Sequence, residues 1–173
     1  MPGLFVILVL VIGFLVYIWW ITHTKEAPWV PMEADVAVRV IKVAEVAPKD
    51  VFYDLGCGDG RLVIAAALSG ARGVGIEVDK LRVLYSRFWL WLFRLNHKAK
   101  IIEGDIFTTN ISDATVVCTY LLPKTHQDLK SKLKKELKKG TKVVAVGFEY
   151  QGWQPIKVDP RGTIYGPIML YKI

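Results

Sequence analysis

Gly56, Gly58 and Gly60 stand at alternate positions in the run Asp54-Leu55-Gly56-Cys57-Gly58-Asp59-Gly60-Arg61, and Gly75-Ile76-Glu77 follows a helix-length later. Glycines so spaced permit a turn that most side chains forbid, and they let backbone approach a ligand closely. Apolar residues precede the run and small ones follow it, so it reads as a strand turning tightly into a helix. In an open α/β sheet that turn lies beyond the carboxyl ends of the strands, where nucleotide-type ligands bind. Glu77, closing the next strand, is placed to accept hydrogen bonds from both hydroxyls of a ribose. Asp54 and Asp59 bracket the loop with negative charge. That suits a pyrophosphate at a helix N-terminus poorly and a ligand carrying an ammonium and a sulfonium well. The residues thus point to S-adenosylmethionine rather than a nicotinamide dinucleotide, while Asp59 also reads as a plain helix N-cap. Asp105, in Glu103-Gly104-Asp105-Ile106-Phe107, can accept from an adenine amino group with Ile106 packed on the ring, or serve as an ordinary turn residue.

The elements that must hold these residues alternate. Strands are expected over 51–55, 73–77, 100–103, 115–120 and 142–148. Helices are expected from Asp35 as cap to about Ala47, over 60–69, over 80–95 behind Asp79, and over 124–139 with Gly140 as C-cap. Two last strands, 156–158 and 163–171, close as a hairpin across Asp159-Pro160-Arg161-Gly162. Alternation at this spacing implies a doubly wound, mostly parallel sheet with a C-terminal antiparallel hairpin.

Leu4–Ile21 carries no charge, which reaches the roughly 18-residue length of a membrane-spanning helix, and Tyr17, Trp19 and Trp20 cluster where such rings favour the headgroup level. No basic n-region or small-residue cleavage site marks it as a signal peptide. The expected organisation is an N-terminal transmembrane anchor over 1–24, a linker over 25–34 and a catalytic domain over 35–173. All Lys and Arg residues follow the span, so the positive-inside tendency places the enzyme as a single-pass membrane protein with its domain facing the cytoplasm and residues 4–21 in the bilayer.

Lys+Arg is 23 against Asp+Glu 16, a formal charge of +7 over 173 residues, which fits an anionic surface or simple solubility. The two cysteines, Cys57 and Cys118, form neither a metal-ligand spacing nor a disulfide framework, and no metal is expected.

Taken together these motifs resemble the class I S-adenosylmethionine-dependent methyltransferases, a Rossmann-like fold. More narrowly they resemble the small protein-lysine methyltransferases of archaea and their membrane-anchored mitochondrial relatives. Asp54 to Arg61 matches the first motif, Gly75-Ile76-Glu77 the ribose motif and Gly104-Asp105 the adenine-side motif. Thr119-Tyr120-Leu121-Leu122-Pro123 resembles the signature after the fourth strand, and Phe148-Glu149 with Gly152-Trp153 the segment after the fifth. One stretch departs: Val30-Pro31-Met32-Glu33-Ala34 stands where the family often reads Pro-Thr-Pro. The resemblance implies cofactor contacts at Asp54, Gly56, Cys57, Gly58, Asp59, Gly60, Glu77, Asp105 and Ile106, and methyl transfer to the amine of a lysine in a protein, membrane-associated proteins included.

Such transfer is a direct displacement, so placing the amine supplies much of the catalysis, and the amine must be neutral to present its lone pair. Tyr120 is expected to orient it and Glu149 to accept its proton or clamp substrate, each with a structural alternative. Leu121 and Leu122 are expected to line the acceptor side, and Trp153 either to line the channel or to seal the last strands. Lys124 to Lys139 is basic enough to face phosphates or anionic lipid. The Asn/Asp-Pro-Pro-Tyr/Phe motif of many base-amino methyltransferases is missing, however, so nucleic acid is not the expected partner.

Overall fold

The computed structural model describes Pro2–His23 and residues 30–173. It divides into two compact units, Met1–Val30 and Pro31–Ile173. Among the described residues the first contains one helix, α1 (Pro2–His23). The second runs α2 (Ala34–Val43), β1 (Val51–Leu55), α3 (Arg61–Leu68), β2 (Arg72–Glu77), α4 (Lys80–Leu92), β3 (Ala99–Glu103), β4 (Val116–Thr119), α5 (Pro123–Glu136), β5 (Lys142–Val146), β6 (Lys157–Thr163) and β7 (Gly166–Lys172).

The expected membrane anchor is corrected. Among the described residues no helix is long and apolar enough to cross a membrane. The transmembrane helix, the bilayer contact of residues 4–21, and the single-pass topology with its cytoplasm-facing domain therefore do not hold. The side chains of the expected ring belt at Tyr17, Trp19 and Trp20 are not among those described, and residues 24–29, the end of the expected anchor and the first part of the expected linker over 25–34, lie outside the described residues.

The sheet has seven strands in the order β3-β2-β1-β4-β5-β7-β6. β1 to β5 are parallel, and β7 lies antiparallel between β5 and β6. Strand residues alternate between its faces. Phe52, Val116, Cys118, Val144, Val146, Ile168 and Leu170 join the cluster under α2 and α3. Tyr53, Leu55, Val117, Val143, Ala145, Met169 and Tyr171 join the one under α5. Both faces are covered, which is why the central strands read as near-continuous apolar runs. α3 lies very close to β2: a Cβ on Gly73 would come within 2.8 Å of the Val63 carbonyl oxygen.

Several boundaries differ from the sequence expectation. The hairpin turns at Ile164-Tyr165, while Asp159 to Gly162 belong to β6, with a register shift between Asp159 and Thr163. Pro160 suggests a turn in the sequence, yet an edge strand tolerates a proline on its unpaired side. α5 stops at Glu136 with an extended Leu137 as cap. Gly140 is instead the left-handed residue of the turn into β5. α2 is capped by Glu33, and Asp35 pairs with Arg39 inside its first turns. Asp79 caps α4 as expected, its Oδ1 accepting from the Arg82 amide at 2.9 Å.

The Gly73→Ala variant should lose about 1–3 kcal/mol of stability in urea denaturation, because the new methyl meets backbone that cannot yield. An unchanged midpoint would show that α3 can shift off the sheet at little cost.

Candidate active site

The glycine loop closes between the carboxyl ends of β1 and β2. The amides of Gly56 and Cys57 both donate to the Ile76 carbonyl, at 2.9 and 3.0 Å, and the Gly58 amide donates to Glu77 Oε2 at 2.9 Å. Gly56, Gly58 and Gly60 all have positive φ, the conformation for which glycine is the default. At Gly56 a Cβ would also lie 2.8 Å from Leu121 Cδ2. Leu121 therefore folds back over the loop, and the segment after β4 reaches the segment after β1. Leu122 stands exposed at the N-cap of α5.

Glu77 is buried, and its other oxygen is occupied. Oε1 accepts from the amides of Val78 and Asp79, both at 3.1 Å, and faces Arg82 at 3.5 Å. A carboxylate has about four acceptor positions, so Oε2 keeps one for a ligand hydroxyl. A second hydroxyl can only be taken if a protein donor gives way.

The two acids of the loop sit in different surroundings. Asp59 accepts from Arg61 Nε at 2.9 Å on both oxygens and makes a further close contact with Arg61 Nη2. Nη1 of the same guanidinium donates to the Met32 carbonyl. Asp59 is thus already neutralised, and Gly60 rather than Asp59 caps α3. Asp54 is buried, and among the described residues no cation pairs with it. Burial, with the charges of Asp59 and Glu77, pushes its carboxyl up to about 8. A ligand ammonium here would meet an acid poised to ionise for it.

Cys57 gives the site backbone only. Its Sγ occupies the space beside Gly75, 2.6 Å from where a Cβ would stand, and burial raises its thiol well above the ordinary range. Asp105 accepts from the Phe107 amide with Oδ1 at 2.8 Å. Its other oxygen is open on an exposed loop, and Ile106 packs against the cluster under α5.

On the acceptor side Tyr120 is half-buried against the cluster under α2. Burial, together with the Glu33 charge, raises its hydroxyl above the ordinary tyrosine value, with Thr163 acting the other way. It is therefore a neutral phenol at physiological pH. Gly147 separates Tyr120 from Tyr165 of the hairpin: a Cβ there would lie 3.5 Å from Tyr120 Cε2 and 3.4 Å from Tyr165 Cβ. Tyr165 in turn faces Phe148 with ring centroids 6.1 Å apart.

Glu149 is exposed, and its charge acts on Tyr171, which belongs to the face under α5. The acid whose charge reaches Tyr120 is Glu33. Trp153 stacks on Tyr150 at 4.9 Å and meets Tyr171 edge-on at 5.8 Å, with Lys134 over its ring, an arrangement that seals the last strands on the α5 face. His126 is buried beside them. It stacks on Tyr150 at 5.0 Å, pairs through Nδ1 with the Phe148 carbonyl at 2.9 Å, and is driven by burial down to about 4.

Sequence reasoning passed over Arg61, Glu33, Thr163 and Tyr165. Arg61 could have been found, since a base two residues after Asp59 at a helix start can fold back on it. Glu33, Thr163 and Tyr165 reach the site only through tertiary packing and carry no local signal. Among the described residues no cluster of His, Cys, Asp and Glu could hold a metal ion.

A glycine loop under a ribose-type acid on a seven-stranded sheet with an antiparallel hairpin defines a class I S-adenosylmethionine-dependent methyltransferase. The residues present are compatible with that ligand: among the described residues Asp54 is a buried acid without an ion-pair partner, Glu77 keeps one acceptor position, and Asp105 has one oxygen engaged by the Phe107 amide. Comparison with known proteins narrows the class. Residues 54–157 match the ANTKMT methyltransferase domain, and the chain belongs to that family. It is 38% identical over 157 residues to a protein-lysine N-methyltransferase of Saccharolobus islandicus (strain REY15A), covering 88% of this chain and 97% of that one. It is 31% identical to the adenine nucleotide translocase lysine N-methyltransferase of Mus musculus, over 80% of this chain but only 60% of that longer relative. A solved RNA methyltransferase from Salinibacter ruber, holding S-adenosyl-L-homocysteine, superposes with a TM-score of 0.79 at 39% identity, over 83% of this chain and 94% of that one. The protein is an S-adenosylmethionine-dependent methyltransferase.

The Asp54 proton makes cofactor binding pH-dependent. A group that holds its proton up to about 8 in the free protein and loses it beside a ligand cation releases that proton on binding, so affinity should rise from pH 6 to pH 8. Titration calorimetry at pH 7 in buffers of different ionisation enthalpy should show close to one proton released, and the Asp54→Asn variant should lose both the release and the pH slope. In the folded chain Asp54 stays protonated well above the ~3.9 of an unfolded aspartate. The folded state therefore binds more protons across that window, and this contribution to stability falls as pH rises from about 4 to 8. Melting of Asp54→Asn should accordingly depend less on pH there. Equal slopes in the two proteins would remove Asp54 from the ligand site.

Proposed function

We propose that the protein methylates the side-chain amine of lysine in a protein substrate. The observation that carries this is the near-complete coverage of the Saccharolobus islandicus protein-lysine N-methyltransferase at 38% identity. The Mus musculus relative named for lysine in adenine nucleotide translocase supports it.

The cofactor supplies an electrophilic methyl on a sulfonium; the chain's residues bind, orient and deprotonate. Asp54 meets the ligand ammonium, Glu77 Oε2 one ribose hydroxyl, and the free oxygen of Asp105 the adenine amino group. The backbones of Gly56, Cys57, Gly58 and Gly60 give the ligand room, with Asp59 holding the loop through Arg61. Tyr120 remains protonated. Its hydroxyl holds the lysine nitrogen on line with the methyl–sulfur axis, with Leu121 closing the cofactor side and Leu122 at the rim. The amine proton leaves to water or to Glu33, the carboxylate whose charge reaches Tyr120. Glu149 and Trp153 take no part in the chemistry.

The Tyr120→Phe variant should lower kcat on a lysine substrate about tenfold or more, the scale of a positioned hydrogen bond, with cofactor affinity unchanged. Equal turnover would remove the hydroxyl from the mechanism. Glu33→Gln should shift the pH–rate profile, whereas Glu149→Gln should leave it as in the parent. A second reading, RNA as acceptor, is favoured by the likeness to the Salinibacter ruber RNA methyltransferase. Incubating protein and RNA fractions with labelled S-adenosylmethionine and mapping the product separates the two, since label confined to RNA would overturn lysine.

A further inference from the structure

α4 is apolar on two opposite faces. Val83, Ser86 and Leu90, at i, i+3 and i+7, are buried. Ser86 Oγ donates to the Gly58 carbonyl at 2.7 Å and Arg82 faces Glu77 at 3.5 Å, so the inner side of the helix hangs directly on the cofactor loop. On the outer side Leu81, Leu84, Tyr85, Phe88, Trp91 and Leu92, following i, i+3, i+4, i+7, i+10 and i+11, are all exposed. Leu84 stands at 61% and Trp91 at 62%. A helix needs one apolar stripe to join a core. A second one, running along ~20 Å of helix, is larger than the scattered exposed apolar residues normal for a monomer.

The surroundings say what covers it. From Lys80 to Ile102 there is no Asp or Glu, while Lys80, Arg82, Arg87, Arg94, Lys98 and Lys100 occur. Arg82 is held by Glu77 and Arg87 by the Ile101 carbonyl at 2.9 Å. Among the described residues Arg94, Lys98 and Lys100 have no acidic partner. Two copies of such a face would set like charge against like. Exposed Trp, Tyr and Phe with Arg, and acids absent, are the composition of a protein–protein contact. Three leucines between the rings offer little to nucleotides, which bind such platforms by stacking.

We propose that the outer face of α4 docks an apolar segment, flanked by acidic residues, of the methyl-accepting protein, which brings its lysine to the cofactor loop on the helix's inner side. This rests on the reading of protein lysine as acceptor and adds where the rest of that protein is gripped. The contact holds substrate and leaves the methyl transfer itself to the residues around Tyr120.

The test uses the full chain and a Leu84→Ser/Trp91→Ser double variant, both positions exposed, with melting temperature and S-adenosylmethionine affinity as folding controls. The acceptors are the protein whose labelled lysine has been mapped and a synthetic peptide cut to the ~10 residues around that lysine. The expected result is a rise in KM for the whole protein of about tenfold, the loss of one interfacial anchor, with the peptide's rate constants unchanged. Equal loss on both acceptors, or none on either, overturns the docking face while leaving lysine methylation standing. If the variant instead stops co-sedimenting with phosphatidylglycerol–phosphatidylcholine vesicles and labels the detergent-solubilised acceptor as the parent does, the face belongs to lipid and the proposal falls. Label that maps to RNA and to no lysine removes the underlying acceptor reading and the docking face with it.

Discussion

The hydrogen bond from the Gly58 amide to Glu77 Oε2 joins the loop after β1 to the end of β2, and the site is built around it. A left-handed glycine run exposes several amides that no regular ladder can satisfy. The Ile76 carbonyl takes two of them and Glu77 takes a third. Glu77 is itself held by the first amides behind β2 and by Arg82. The same carboxylate therefore shapes the loop and is the one proposed to take the ligand sugar. Removing it would leave a buried N–H without a partner, a loss of about 1–3 kcal/mol, so the site and the fold are not separable here.

Charge follows from the same geometry. Three acids converge on the loop, and the protein neutralises two of them by different means. Arg61 takes Asp59 and carries the Met32 backbone with it, which ties the start of α2 to the loop. Arg82 and three amides take Glu77. Asp54 remains, buried and protonated, as the one acid still open to a cationic ligand. The basic helix shows the same economy: Lys132 pairs with Glu136 and donates to the Thr109 carbonyl, and Lys134 lies over Trp153. These lysines fasten α5 to its surroundings and account for part of the positive charge without any partner.

The glycine turn and the acid behind β2 were legible in the sequence because they are local. A strand, three alternating glycines, a helix and an acid after the next strand lie within one stretch of chain and follow backbone rules. The acceptor half was not. Glu33 and Tyr165 come from the two ends of the second unit, and their charges act on Tyr120 only because α2 and the hairpin pack together. Glu149 stands in the expected place after β5, but chain order does not say which face of the sheet a residue beyond a strand's end will take, and it falls toward Tyr171. Pro160 and Gly140 suggest a turn and a helix cap because those are their commonest uses, and tertiary context gives both another. The membrane span rested on the absence of charge over 4–21, and an uncharged run does not by itself make a spanning helix.

The hairpin that carries Tyr165 also ends the sheet. β6 is the outermost strand on that side, and it contains Pro160, a register shift and the charged pair Asp159–Arg161. A proline offers no amide to an incoming strand, and a bulge twists the row of carbonyls out of line. That border of the sheet is thereby closed to strand addition, so an extended polypeptide arriving there must be held by its side chains and cannot become an eighth member of the ladder.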